Sequence, residues 1–241
     1  MSCSSPLERV EIEDVGKLYG PQLALDGVSL TLRRGRPCVL MGANGAGKSS
    51  LIQIVATALA PDRGRVRYLT EHGGLAGREL RRRIGIVTHQ PMAYPELTPL
   101  ENVTFFARLW GLPDPREEAA RMLLQLGLDP ASRKPAGQLS RGMSARLSAA
   151  RALVTHPELL LLDEAVSGLD REGRRTLLDL VVSLAGDAVV LMASHHAEDA
   201  ARVGHHLVIL SGGVVGTDEP LHDEDEAQRL ARIVDLLDKA S

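Results

Sequence analysis

Apolar and polar residues alternate along two segments near the start of the chain, residues 10–15 and 27–32. Alternation with a period of two is typical of strands that bury one face. A polar stretch around Gly20 and Pro21 separates the segments, so we expect them to pair as an antiparallel β layer. A turn at residues 63–65 predicts a further strand after it.

Other short segments are almost wholly apolar: residues 37–41, 84–88, 159–162, 188–193 and 207–210. Such runs predict strands in the core of the protein. Strands that are buried on both faces are typical of parallel sheets covered by crossover helices. The predicted fold class is therefore α/β, with a mainly parallel sheet beside the N-terminal antiparallel layer.

Apolar residues recur at helical spacing in three later segments, residues 99–109, 115–126 and 140–154, which Gly and Pro residues separate. They predict an inserted α-helical subdomain at residues 91–157, between core segments 10–90 and 158–218. Further helices are expected at residues 50–59 and 78–83 and between strands 159–162 and 188–193. Residues 219–241 are assigned to a C-terminal helix, which is amphipathic over 224–239. Open α/β folds of 241 residues are ordinary, so we assign the whole chain to one domain.

Composition narrows the possible partners. A formal net charge of −3 gives no polybasic surface, so we expect no nucleic-acid partner. No apolar run reaches the roughly 18 residues that cross a bilayer, and the first residues lack a signal-peptide pattern. We therefore expect a cytoplasmic protein without direct membrane insertion. Cys3 and Cys38 form neither a disulfide framework nor a metal site, and both are expected to be inert thiols.

Residues 42–49, GANGAGKS, fit the phosphate-loop template G-x-x-x-x-G-K-[ST] and lie between a predicted strand and a predicted helix. Glycines let successive N–H groups converge on phosphate oxygens, the helix N-terminus adds its dipole, and Lys48 adds a charge. A glycine-rich turn is the alternative, and the flanking elements disfavour it. The predicted nucleotide contacts in this P-loop NTPase core are Gly42, Asn44, Gly45, Ala46, Gly47, Lys48, Ser49 and Ser50.

The apolar strand at residues 159–162 ends in two carboxylates, Asp163 and Glu164. Open α/β sheets bind ligands at the carboxyl ends of their strands. Asp163 is expected to hold Mg²⁺ with Ser49, while Glu164 is expected to polarise the water that attacks the γ-phosphate. On its own, the pair could also be merely solvated.

From residue 10 to residue 216, the order of motifs resembles the nucleotide-binding subunit of an ABC transporter. The motifs are an aromatic residue at Tyr19, the phosphate loop, Gln90, LSRGM at 139–143, LLLLDE, SGLD at 167–170, and His195. The resemblance implies an ATPase that uses ATP and Mg²⁺ and works as a head-to-tail dimer, with the LSRGM segment of one subunit capping the γ-phosphate held by the other. It also implies a separate transmembrane permease subunit, with this chain peripheral on the inner face of the cell membrane.

The resemblance assigns roles residue by residue. Tyr19 would stack on adenine, although it could simply pack. Gln90 would contact Mg²⁺ or the attacking water. His195 would sense the γ-phosphate. Successive side chains at a strand end point to opposite sides, so only one of His195 and His196 should face the site. His195 is favoured because the family usually places its histidine directly after Ser or Thr. Ser140 and Gly142 would cap the phosphate and Asp170 would cross the dimer boundary; Ser140 and Asp170 could also act as helix caps.

The chain departs from the family pattern at Arg141 and Met143, where a glycine and a glutamine are usual, and at Ala165, where a proline is usual. These departures leave a non-hydrolysing binding module open as an alternative. A soluble ABC ATPase without a transport role is a second alternative, although the chain lacks the tandem cassettes or coiled-coil insertion of that class.

Most of the six aromatic residues fall between residues 91 and 111, which suggests an apolar groove for a membrane subunit. Tyr94 and Leu97 are expected to be exposed there. The alternative is that Phe105, Phe106 and Trp110 form the core of the helical subdomain. The segment 94–111 resembles ABC-2 type export ATPases, and LSRGM is similar to the haem-exporter subunit of cytochrome c maturation.

Overall fold

A computed structural model describes residues 5–88, 92–221 and 225–240, which form two sheets and their covering helices. The first sheet has four antiparallel strands in the order β2-β1-β4-β5. Its members are β1 (Leu7–Tyr19), β2 (Gln22–Arg33), β4 (Arg63–Thr70) and β5 (Gly73–Leu75). The predicted antiparallel layer is confirmed, although β1 and β2 are longer than the alternating segments and β5 was not predicted.

The second sheet has six strands in the order β10-β9-β3-β8-β7-β6. All are parallel except β10, which pairs antiparallel with β9. The strands are β3 (Cys38–Met41), β6 (Ile84–Thr88), β7 (Leu159–Asp163), β8 (Val189–Ala193), β9 (His206–Ser211) and β10 (Val214–Pro220). The mainly parallel sheet is confirmed. Its edge strand is β6, in which Val87 is buried in one apolar cluster while Ile84 and Ile86 are partly buried against the other.

Both faces of the six-stranded sheet are covered by separate apolar clusters. Leu160 and Leu162 of β7 face one cluster, which includes the apolar side chains of the helical subdomain. Leu159 and Leu161 face the other cluster, together with residues of the antiparallel layer. Because alternate residues of a strand point to opposite faces, burial on both sides explains why β7 reads as an unbroken run of leucine.

Three helices form the inserted subdomain: α3 (Pro99–Leu109), α4 (Pro115–Gln125) and α5 (Arg141–Leu153). Thr98 begins α3 with a capping box, since its side chain accepts from the Glu101 N–H and the Glu101 carboxylate accepts from the Thr98 N–H. Proline at the first position of α3 and α4 costs no helical hydrogen bond.

The remaining helices are α1 (Lys48–Val55), α2 (Gly77–Arg82), α6 (Arg171–Ala185), α7 (Ala197–Val203) and α8 (Glu226–Ala240). The predicted bounds were wrong for α1, which begins two residues earlier than expected and ends at Val55. They were also wrong for the C-terminal helix, because Glu219 and Pro220 belong to β10 and α8 begins at Glu226. Among the described residues, no helix combines the length and apolar character needed to cross a membrane.

Cys38 lies in β3 and is fully buried, and burial raises the pKa of its thiol well above the usual value. A buried thiol that stays protonated is a poor nucleophile, as expected from the sequence. Cys3 lies outside the described residues.

Candidate nucleotide site

The phosphate loop connects β3 to α1, and two of its glycines are required by the backbone. Gly42 has φ +140°, and a Cβ there would lie 2.2 Å from the Leu210 carbonyl oxygen. Gly47 has φ +103°, and a Cβ there would lie 2.4 Å from the Ala24 carbonyl oxygen. Both the left-handed conformation and the close main-chain contact exclude a side chain. The loop is therefore held between the two sheets, with Ala46 buried and Asn44 and Gly45 exposed at its tip.

Lys48 folds back across the phosphate loop. Its Nζ donates to the carbonyl oxygens of Gly42 and Ala43, each at 2.9 Å, and only 5% of the residue is exposed. Burial lowers the pKa of Lys48, while the nearby carboxylates of Glu164 and Asp163 act to raise it. A partly desolvated ammonium beside a ring of loop N–H groups provides a strong site for an anion.

Ser49 and Asp163 meet where α1 begins and β7 ends. The Ser49 hydroxyl donates to Asp163 Oδ1 at 2.9 Å, and Asp163 is 3% exposed. Mg²⁺ in phosphate-transfer sites is held through one or two protein oxygens together with substrate phosphates. A hydroxyl and a carboxylate at hydrogen-bond distance beside the phosphate loop fit that requirement.

Glu164 follows β7 in a left-handed conformation, with φ +51°. Its N–H donates to the Ala193 carbonyl at the end of β8, at 3.3 Å. Its Oε1 lies 2.5 Å from His195 Nε2, and about a third of each side chain is exposed. The two groups predicted to act on the γ-phosphate are thus hydrogen-bonded partners at one edge of the sheet. His196 instead begins α7 and lines a separate cleft with Arg171 and Arg174.

Tyr19 lies at the end of β1 with 47% of its surface exposed. Its hydroxyl oxygen is 3.4 Å from Ser50 Oγ, and it lines a cleft of about 200 Å³ shared with Gly47, Lys48 and Glu164. The ring therefore contributes to the cleft and not to the core. Gln22 lines the same cleft, and the alternating pattern of β2 gave no signal that marked it. We refer to the phosphate loop, Tyr19, Asp163, Glu164 and His195 as the phosphate half.

Ser140, Gly142 and Asp170, which we call the signature half, lie together on another part of the surface. Ser140 caps α5 by accepting from the Met143 N–H at 3.3 Å, and Asp170 caps α6 by accepting from the Gly173 N–H at 2.9 Å. A Cβ on Gly142 would lie 3.9 Å from the Asp170 nitrogen, so the two segments are adjacent. Both helix-cap alternatives describe what these side chains do within one chain.

The Arg141 side chain covers the SGLD turn, since a Cβ on Gly168 would lie 2.6 Å from Arg141 Nε. Among the described residues, no hydrogen bond or ion pair joins the signature half to the phosphate loop. One chain thus presents two separated halves. Gln90, predicted to contact Mg²⁺ or the attacking water, lies outside the described residues.

Comparisons with known proteins show the family of this chain. The model of the ABC transporter family matches residues 25–167. The chain is 34% identical over 227 residues to the daunorubicin resistance ATP-binding protein DrrA3 of Streptomyces coeruleorubidus, covering 92% of this chain and 72% of that protein. It is 36% identical to the Nod factor export ATP-binding protein I of Sinorhizobium fredii, covering 89% of this chain and 64% of that protein.

Among solved structures, one similar fold is a dimeric post-hydrolysis state of an ATP-binding cassette bound to ADP and Pi. It matches with a TM-score of 0.80 and 28% identity over 89% of this chain and 100% of that chain. A dimeric structure of the same cassette matches equally well in TM-score. The chain therefore belongs to the ABC transporter family, in which it is an ATP-binding and ATP-hydrolysing subunit.

Proposed function

We propose that this chain hydrolyses ATP between two copies of itself and thereby drives export through a separate membrane subunit. The observation that carries the proposal is the pairing of Ser49 with Asp163 and of Glu164 with His195 at one sheet edge. These pairs supply the groups needed for phosphate binding and water activation, while the signature half lies elsewhere on the same chain. A second chain is needed to bring the two halves together.

In this proposal, Glu164 is the general base that accepts the proton of the attacking water. His195 holds the Glu164 carboxylate in place at 2.5 Å and faces the terminal phosphate. Lys48 exchanges the carbonyls of Gly42 and Ala43 for phosphate oxygens when ATP enters. Ser49 and Asp163, with Gln90 as the predicted third ligand, would hold Mg²⁺, which neutralises developing charge on the phosphates.

The second copy would supply Ser140 and Gly142 to the terminal phosphate and Asp170 to the subunit boundary. An exposed helix N-terminus with a capping hydroxyl suits an anion. The similar cassette structures are dimers, one of them with ADP and Pi bound, which supports a nucleotide site shared between subunits. An isologous pair forms both composite sites at once.

An exposed aromatic surface, formed by Tyr94, Phe105 and Phe106, is the proposed contact with the membrane subunit. Tyr94 and Phe105 are 47% and 42% exposed, and their rings meet edge to face with centroids 5.3 Å apart. The alternative of a subdomain core is wrong, since Phe106 and Trp110 are also only partly buried. The buried Asn102 amide bonds both the N–H and the carbonyl of Tyr94 and fixes the surface.

A fixed apolar patch is favoured for binding an amphipathic helix, here one from the permease. This contact would keep the chain peripheral on the cytoplasmic face of the membrane. The relatives are named for daunorubicin resistance and Nod factor export, which supports an export role. Haem as the cargo, suggested by LSRGM, stays a prediction, because neither relative's name includes it.

The membrane partner is tested by purifying the tagged chain from membranes of its own host and identifying co-purified proteins by mass spectrometry. We expect a multi-span membrane protein with the wild type and its loss with Tyr94→Asp. The matched control is Leu124→Asp, which places the same charge on an exposed apolar residue of α4 outside the aromatic surface. Equal recovery with Tyr94→Asp and Leu124→Asp would contradict the aromatic surface.

Subunit pairing is tested in the Glu164→Gln background, which blocks hydrolysis. Size-exclusion chromatography should show a shift from monomer to dimer when ATP and Mg²⁺ are added. A monomer at saturating ATP would overturn the composite site.

A further inference from the structure

A buried carboxylate outside the nucleotide cleft bonds to one residue next to the phosphate half and to one residue next to the signature half. Asp199 lies in the first turn of α7 and is 1% exposed. Its Oδ1 accepts from Arg174 Nε at 2.7 Å, and its Oδ2 accepts from the Ser194 hydroxyl at 3.0 Å. The Ser194 oxygen in turn accepts from the His196 N–H at 3.1 Å. Asp199 therefore holds α6 and the end of β8 together through charged and neutral hydrogen bonds.

The partners of Asp199 adjoin one residue from each half of the site. Ser194 immediately precedes His195, which contacts Glu164. Arg174 is one helical turn after Asp170, and its N–H donates to the Asp170 carbonyl at 2.9 Å. A continuous hydrogen-bonded path thus runs from the loop carrying His195, through Asp199 and Arg174, to the cap of α6.

We propose that Asp199 and Arg174 are positioning residues that couple the placement of His195 in one nucleotide site to the placement of Asp170 at the subunit boundary. The inference rests on the proposed function, in which Asp170 faces the second copy. When the boundary forms and Asp170 is fixed, α6 carries Arg174 and, through Asp199, the loop before His195. Closure of the dimer and alignment of the catalytic pair then occur together.

Stability alone is a weak reason for such a pair. A buried ion pair contributes little net stability compared with apolar packing, because both charges lose water. The geometry instead supports a positioning role, because one carboxylate with a donor on each oxygen fixes two backbone segments relative to each other. A second link between α6 and α7, Asp179 with Arg202, lies at the surface, and neither residue bonds to a described residue of the nucleotide site.

That second link provides a matched control. Asp199→Asn and Asp179→Asn make the same chemical change in contacts between α6 and α7, one buried and one about half exposed. For the full chain we would measure kcat and KM for ATP, the thermal midpoint, and ATP-driven dimer formation in the Glu164→Gln background. We expect Asp199→Asn to lower kcat by about 10-fold with little change in KM, and Asp179→Asn to leave both values nearly unchanged.

Arg174→Lys keeps the positive charge but loses the planar fork, so it is the second variant and is decisive if Asp199→Asn does not fold. It should lower kcat similarly, and the Arg174→Lys, Asp199→Asn double variant should be no slower than the worse single one. If the folded Asp199 and Arg174 variants hydrolyse ATP like Asp179→Asn, the inference is wrong. If the wild type neither hydrolyses ATP nor dimerises, the proposed function fails instead.

Discussion

The phosphate half and the signature half differ in how their polar groups are satisfied inside one chain. In the phosphate half, Lys48, Ser49, Asp163 and Glu164 all have partners from other parts of the same site. In the signature half, the side chains of Ser140 and Asp170 face solvent, and their bonds within the described part of the chain go to backbone N–H groups of their own helices. In the proposed function, the first half binds phosphate with groups that already contact one another, whereas the second offers an exposed helix N-terminus to the phosphate held by another chain.

From this difference we expect the two halves to respond differently to substitution. The contacts of Lys48 and Ser49 are part-buried and that of Glu164 with His195 is short, so a small displacement alters the reacting geometry. The signature half presents a helix N-terminus and a hydroxyl, which survive the replacement of neighbouring residues by Arg141 and Met143. We therefore expect variants of the phosphate half and variants of the signature half to change different measured properties.

The largest effect is expected from Glu164→Gln, which removes the base of the phosphate half. Phosphate release should fall about 1000-fold, in line with the loss of a general base, while binding of a fluorescent ATP analogue is retained. Glu172→Gln, an exposed change in the first turn of α6, is the control and should behave like the wild type. If neither the wild type nor Glu164→Gln hydrolyses ATP, the protein is a non-hydrolysing binder. If both hydrolyse ATP at the same rate, another residue is the general base.

Mixing two inactive variants separates the halves directly. Lys48→Ala damages only the phosphate half and Ser140→Ala only the signature half, so each should be nearly inactive alone. In an equal mixture, about half the dimers are mixed and one of their two sites is intact, so about a quarter of wild-type turnover should return. A mixture as inactive as its components would show that both halves must come from one chain.

Tyr19→Ala tests the cleft wall without touching the reacting groups. Loss of stacking on the base should raise KM for ATP by about 10-fold with little change in kcat. Tyr19→Phe keeps the ring and removes the hydroxyl near Ser50, so it should retain the wild-type KM. If Tyr19→Ala matches Tyr19→Phe, adenine is not recognised by this ring.

The smallest effect concerns the fold of the signature half. Asp170→Ala removes the cap of α6 and should lower the free energy of unfolding by about 1 kcal/mol, measured by urea denaturation. Asp170→Asn keeps an accepting oxygen and should unfold close to the wild-type midpoint. A loss of turnover in both variants at temperatures where both are folded would point to a role for the charge at the subunit boundary.

Sequence patterns predicted the parts of the fold in which burial is either continuous along a strand or periodic along a helix. The leucine run of β7 and the helical spacing of α3 were recognisable because burial imposes the pattern directly. The short β5 and the solvent-exposed β10 were missed, since their burial alternates weakly or not at all. The bounds of α1 were misjudged because its first turn is built from the phosphate loop itself, where glycine and lysine hide the helical signal.

The candidate site was predictable where a motif fixes both residue type and spacing, as at Lys48 and Asp163. The left-handed conformation of Glu164 and the burial of Asp199 were not, because each depends on contacts between segments distant in sequence. In the sequence, Asp199 is one of two acidic residues in the first turn of a helix and resembles an ordinary solvated side chain. Only the meeting of α6, α7 and β8 shows that it is enclosed.

The position of the Lys48 ammonium has a consequence for how ATP binds. Its two acceptors, the carbonyl oxygens of Gly42 and Ala43, belong to the phosphate loop itself, so the charge of Lys48 is held beside the loop by the loop's own backbone. In the proposed function, ATP binding exchanges one set of oxygen partners of Lys48 for another, while the backbone of the loop stays fixed by its contacts at Gly42 and Gly47.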